Sequence, residues 1–408
     1  MEQINDAQRT LMALLGKSLF GREFCVPMEA DWRSVLREAE AQAVLPLAWD
    51  AAKSYFNGPE ADAIEETVNN LVVNNLYVDF DHVQLHETMT AAGISYVVMK
   101  GSSSASYYPQ PVLRMMGDLD FLVSAKNVDR AAEALLALGF REIKEQNHPV
   151  HRAFVRDTEL THRSEWELHW QPNGIPNNAA GNQIQSLLAD SIETAQLHET
   201  ENGSYRIPDA FHHGLMMLIH TARHMTHSGI GLRHLCDWAV FSSHFDREEF
   251  CDLFEEKLLA VGLWNFAAAL TAVSVRYLGC PDPGWQGSMD PDFTEELMCD
   301  ILAGGNFGQK DRGRLNEAKL MVDHEKRTVH PGAALSNLIS ALNVKTRCRW
   351  PVMGRVPLLL PLGWIPVGVR HMLGILRGKR PKIYLKKTLK QARERGALYD
   401  RLGLYQEK

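Results

Sequence analysis

The segment Asp118-Leu119-Asp120-Phe121-Leu122-Val123 constrains this chain more than any other. It reads as a strand whose later residues run into a buried core. Side chains alternate across a strand, so both aspartates face one side while Leu119 faces the interior. Two like charges held side by side repel, and a bound cation relieves that cost. The pair therefore belongs at the mouth of a core strand. An isolated Asp-x-Asp is more often a solvated strand end, so its neighbours must decide its meaning.

The segment Ile94 to Met99, short and apolar, predicts another strand, followed by Lys100-Gly101-Ser102 and a short helix broken by Pro109 and Pro111. Glycine lets backbone approach a ligand closely, and the N–H groups opening a helix favour an anion. Gly-Ser after a strand is usually only a turn. Further on, Glu165, Glu167 and His169 share one face of Glu165-Trp166-Glu167-Leu168-His169-Trp170. A third carboxylate from there could complete a two-metal centre, although an ordinary amphipathic strand has the same pattern.

The surrounding periodicities predict an α+β protein. A helical region over 1–92 ends in a long amphipathic helix from about Pro59 to Ala92, with Ile64, Val68, Val72, Leu76, Phe80 and Val83 at helical spacing. Residues 93–175 predict a small mixed sheet, with a helix over Asn127–Gly139, a strand over Phe140–Lys144 and a hairpin from Val150–Arg156 and Leu160–Trp170. From 176 to 350 the pattern is helical, with helices expected near 208–227, 231–244, 246–260, 263–278, 292–303, 311–326 and 331–346. Residues 351–408 hold an apolar segment whose prolines rule out one straight helix, then a basic helix over about 381–402. No stretch of about 20 residues lacks both charge and proline, which argues against a membrane-spanning helix.

Charge is distributed unevenly. Residues 345–408 carry 16 Lys and Arg against 3 Asp and Glu, within a chain of net charge −7. The tail suits an anionic membrane surface, a nucleic acid or the acidic body itself, and no strong nucleic-acid signal accompanies it. Met1–Phe20 lacks the basic start and apolar run of a signal peptide, and six scattered cysteines without a C-x-x-C pair suit a reducing cytoplasm.

Strand, Gly-Ser, helix, then strand with Asp-x-Asp resembles the nucleotidyltransferase fold of the DNA polymerase β superfamily. The runs VVMKGSSSASYYPQPVLRMMGDLDFLV, AAEALLALGF and ELHW are similar to those of the uncharacterised bacterial nucleotidyltransferases, many of which sit among genes for surface polysaccharides. GLRHLCDWAVFSSH, Gly231 to His244, is similar to that family's helical half. The gap from Gly101 to Asp118 is longer than in many polymerase β relatives. The resemblance implies two Mg2+ ions held by Asp118, Asp120 and Glu167, with Glu167 also helping to deprotonate an acceptor hydroxyl. It implies that Gly101 and Ser102 hold the β- and γ-phosphates of an NTP, and that Arg114 and Lys100 neutralise phosphate charge. The reaction would move an NMP to an acceptor hydroxyl on a small molecule, glycan precursor or protein. A non-catalytic module of the same fold, within a polysaccharide or membrane assembly, is the rival.

Two other groups invite chemistry. His220, His224 and His227 share a helical face, with His212 and His213 nearby; the spacing suits zinc, but no H-E-x-x-H glutamate accompanies it. Arg233 and Asp237 are four apart and read either as a helical ion pair or as site-facing residues.

Overall fold

The computed structural model describes residues 3–23, 30–143, 149–157, 163–378 and 385–406. The architecture is α+β. The sheet holds β1 (Tyr96–Val98), β2 (Leu119–Val123), β3 (Arg141–Glu142), β4 (His151–Asp157) and β5 (Arg163–His169) in the order β1-β2-β5-β4-β3. Only β2 and β5 run parallel; the other neighbours are antiparallel. Parallel strands need a long crossover. Here the helix Val128–Ala137 and the β3–β4 pair supply it. Lys144, the expected strand start at 160–162 and the expected start of the closing helix at 381–384 lie outside the described residues.

Two apolar cores result. The smaller packs Phe121, Phe154 and Trp166 of the sheet against Leu135 of the crossover helix and Leu85 and Met89 of the helix Pro59–Ala91. The larger joins the N-terminal helices to those of the helical half. At Gly16 the helix Asp6–Phe20 meets the backbone of Trp264–Leu278 so closely that a Cβ would lie 2.6 Å from the Leu278 carbonyl oxygen.

The long helix differs from its expected stripe. Leu76 and Phe80 are exposed, while Asn75, Asp81 and His82 are buried. The inward face carries polar groups because it holds loops. Asn75 Nδ2 donates to the Val112 carbonyl at 2.7 Å, and Met116 N donates to Asn75 Oδ1 at 2.9 Å. Ser164 of β5 donates to Asp81 at 2.9 Å. One helix thus fixes both the loop entering β2 and the start of β5.

The region after 176 is not wholly helical. A hairpin of β6 (Gln196–Thr200) and β7 (Gly203–Ile207) packs on the long helix, with Gly203 against Val83. Asn202-Gly203 is a strong hairpin signal, but polar strands around it hide the alternation. The expected helices are otherwise present near their places, from Ala210–His227 to Ala334–Arg349, except that the one expected over 311–326 is only Arg314–Met321, after which Val322 bridges Val329.

The chain's end divides in character. The helix Leu385–Asp400 is stitched into the body: Arg395 pairs with Asp300 at 3.3 Å and with Glu317 at 2.6 Å, Arg314 pairs with Asp300 at 2.9 Å, and the Tyr399 hydroxyl donates to Asp300. Prolines divide the preceding segment near 356, as expected, yet Pro366 sits inside the helix Leu360–Leu376. Pro357 and Pro361 occupy first-turn positions, where no N–H bond is lost. Among the described residues, Pro357–Leu376 is long and apolar enough, by length and composition alone, to cross a membrane, so the prolines and arginines do not exclude one.

Replacing Asn75 with alanine strands the Val112 carbonyl and the Met116 amide. Urea unfolding should show a loss of about 1–3 kcal/mol; an unchanged midpoint would mean that the loop holds itself.

Candidate active site

The register of β2 on β5 builds the site. Asp120 stands directly beside Glu167 across the parallel pair, and Asp118 precedes β2 at its exposed mouth. Leu119 points inward and is fully buried. One oxygen each from Asp118, Asp120 and Glu167 lies within 4.8 Å of the others. Oxygen donors at that separation suit a hard divalent cation such as Mg2+.

Positive groups already meet these acids. Lys100 Nζ lies 2.7 Å from Asp120 Oδ2. Burial alone would pull the lysine pKa down, but Asp120 and then Asp118 outweigh it and hold the value up. His169 Nε2 lies 3.0 Å from Asp120 Oδ1 and 3.1 Å from Glu167 Oε2. Burial works against its proton, yet the bonds to Asp120 and Glu167 win, and the pKa rises. Glu167 responds in the opposite sense: burial lifts its pKa, while His169 and Lys100 bring it net below the usual value. His151, Glu167 and His169 also lie within 4.8 Å of one another, a mixed nitrogen and oxygen set sharing Glu167.

The helical half closes the opposite side of a cleft of about 420 Å³. Arg223 of the helix Ala210–His227 and Arg233 of the helix Leu232–Ser242 line it, as do Lys100 and Gly101. Gly101 has φ 65° and ψ −115°, a backbone that only glycine adopts readily. Ser102 is close in sequence but its hydroxyl turns away, 3.2 Å from His82 Nδ1 and 3.5 Å from the Met116 sulfur. The serine that lines the cleft is Ser104.

Arg114 borders the cleft, but its guanidinium is taken up by Asp237, with Nε to Oδ1 and Nη2 to Oδ2 both at 2.7 Å. The Tyr108 hydroxyl donates to the same carboxylate at 2.7 Å. Of the two readings of Arg233 and Asp237, the helical pair gives way, since both line the cleft while Arg233 donates to the Met115 carbonyl at 3.4 Å and stacks over Phe307, 4.9 Å from its centroid. Burial raises the Asp237 pKa, but the Arg114 charge more than reverses this.

The histidines separate. His220 and His224 line the cleft with His234, whereas His227 lies beside His324 and His213 beside Tyr107. His212 pairs with Asp209 at 2.7 Å. Among the described residues, His220, His224 and His227 form no metal-holding group. Arg223, His234 and Phe307 escaped the sequence reading. Arg223 adjoins His224 without a motif, and Phe307 stands far along the chain.

A mixed sheet with convergent acids and a lysine at one strand mouth, faced by arginines across a cleft, fits a nucleotidyltransferase core. The chain belongs to the family described as uncharacterised nucleotidyltransferase, whose model matches residues 28–279. That match takes in the sheet and the helices carrying Arg223 and Arg233, and ends before Phe307. No curated protein matches the chain.

The Arg114–Asp237 pair yields a stability test. Asp237→Asn leaves a buried guanidinium without its counter-charge and should cost about 3–5 kcal/mol in urea unfolding, while Arg114→Met with Asp237→Leu should cost much less. The folded-state pKa of Asp237 lies below its ordinary 3.8. The pair's contribution is therefore full above about pH 4 and drains as pH falls through the folded-state value. Asp237→Asn should flatten that acid limb; an unaltered limb would assign it to other carboxylates.

Proposed function

We propose that the chain moves a nucleoside monophosphate from an NTP to an acceptor hydroxyl and releases pyrophosphate. The observation that carries this reading is the convergence of Asp118, Asp120 and Glu167 within 4.8 Å, beside Lys100 and opposite two arginines. In the transfer, the acceptor oxygen bonds to the α-phosphorus as the bond to the α,β-bridging oxygen breaks. Charge grows on the departing pyrophosphate.

Asp118, Asp120 and Glu167 would hold one or two Mg2+ ions, which supply charge neutralisation for the attacking and leaving oxygens when bound. Lys100, Arg223 and Arg233 face the phosphates, and Gly101 lets the chain approach them without side-chain obstruction. Glu167, kept ionised by His169 and Lys100, accepts the acceptor's proton. Ser102 contributes through its backbone, since its hydroxyl is committed elsewhere. Arg114 holds the helical half in place through Asp237, and so positions Arg233 and does not itself grip phosphate. The acceptor is a small molecule, a glycan precursor or a protein.

The test combines binding and transfer. An NTP with Mg2+ should stabilise the protein by ~2.7 kcal/mol at a hundred times its dissociation constant, and label from α-labelled NTP should appear on an acceptor in cell extract. Asp118→Asn with Asp120→Asn should abolish both effects. No thermal shift with any of the four NTPs would favour a non-catalytic module of the same fold.

A further inference from the structure

Phe307 has a backbone that a bulky side chain rarely adopts. Its φ is 53° and ψ 31°, between Gly305 at φ 65° and Gly308 at φ 71°. A strained non-glycine residue persists only where its surroundings fix it, and such residues cluster at ligand sites. Here the strain delivers a half-buried ring to the cleft. Its centroid lies 4.7 Å from the His224 ring and 5.0 Å from the His234 ring. His220 continues the wall, 4.4 Å from His224 and nearly parallel to His234.

We infer that this wall of Phe307, His220, His224 and His234 is the nucleobase subsite, with the base stacked on Phe307 and its edge read by the imidazoles. The inference rests on the nucleotidyltransferase reading and adds where the base lies. The cleft is chemically divided. Acids and Lys100 occupy one part, whereas Phe307 and three imidazoles, their rings tilted against one another, make up the other. Burial also pushes His234 down to about 3 and His220 and His224 well below their usual values, so the wall is uncharged at neutral pH. Neutral imidazoles bind phosphate poorly but offer one donor and one acceptor each. His234 Nδ1 accepts from the Gly231 amide at 3.4 Å, which places its proton on Nε2, an atom without a partner among the described residues. Aromatic faces stack on any base.

Direct binding measurements with Mg2+, using each NTP and inorganic tripolyphosphate, test this. Phe307→Gly should weaken NTP binding about tenfold or more. Tripolyphosphate binding, which loses only the stacking of Arg233 on the ring, should weaken far less than NTP binding, and the melting temperature should hold or rise as the strained backbone relaxes. Phe307→Tyr should restore NTP affinity. Equal loss for NTP and tripolyphosphate, or no loss for either, overturns the base platform while leaving the transfer reading intact. If wild-type protein binds neither ligand, the transfer reading fails first, and this inference falls with it.

A second observation stands apart from the cleft. On the segment Pro357–Leu376, Leu358, Leu362, Ile365, Val369, Met372 and Leu376 are 89, 60, 68, 52, 64 and 79% exposed. Their spacing alternates four and three, so they form one stripe along the helix. The opposite side is covered, with Gly363 against Thr346 and Trp364 Nε1 donating to Asn343 at 3.0 Å. No Asp or Glu occurs between Glu325 and Glu394. Arg370 and Arg377 lie about a third of a turn around from the stripe, and Lys386, Lys387, Lys390 and Arg393 are exposed on the next helix.

We propose that this stripe rests in the surface of an anionic lipid bilayer, with the basic groups at the headgroups. A second copy is the poorer occupant, because pairing two such stripes would bring like charges together. Sedimentation with phosphatidylcholine vesicles, with and without phosphatidylglycerol, decides it. Binding should require phosphatidylglycerol and weaken steeply with salt. Lys386→Gln with Lys387→Gln and Lys390→Gln should reduce it at least about tenfold, as should Leu362→Ser with Ile365→Ser and Val369→Ser. No binding to either vesicle overturns the proposal. So does a dimer in solution that the serine variant dissolves.

Discussion

Three carboxylates held within 4.8 Å of one another impose the constraint around which this molecule is organised. Parallel pairing sets Asp120 beside Glu167 and gives neither room to avoid the other. At about 4 Å, two like charges near a protein surface cost up to ~4 kcal/mol. Lys100 and His169 meet part of that cost from within the sheet, and Arg223 and Arg233 bring more charge from the helical half. The sheet alone is an acidic mouth; the helical half turns it into a cleft with arginines on its far wall.

Holding that geometry falls to buried polar contacts and not to the apolar cores alone. Asn75 grips the loop ahead of Asp118 at two points, and Asp237 takes Arg114 and Tyr108 together. Each contact joins separate elements, so the acids and arginines are set before any ligand arrives. Such preorganisation is what transfer chemistry demands of its supporting shell.

Much of the sheet and its acids was legible because the signals are local. Alternation placed Leu119 inside and its flanking aspartates outside, and Glu167 shared a readable strand face. Arg114 and Ser102 illustrate the limit. Both stand beside the motif in sequence, yet their side chains answer to partners elsewhere, Asp237 at a separation of 123 residues and His82 at 20. The helix Pro59–Ala91 misled for a similar reason: hydropathy favours Leu76 and Phe80, while the buried face is chosen by the loops it must bond. The β6–β7 hairpin was hidden by polar strands, and nothing near Phe307 except flanking glycines marks a ring that three helices bring to the cleft.

The Asp300 network joins the surroundings of the Phe307 loop to a helix that is translated late. Arg314, tied to Asp300, packs its guanidinium against the backbone at Gly304 and Gly229, beside the loop that carries Phe307. Arg395 and Tyr399 complete the charge balance at Asp300. A ribosome delivers β5 on the order of tens of seconds before it delivers those two residues, at about 5–20 residues per second. Throughout that interval the nascent chain has its carboxylates but lacks two of the partners that surround Asp300. The surroundings of the Phe307 loop thus gain these buried ionic partners only when the helix Leu385–Asp400 docks.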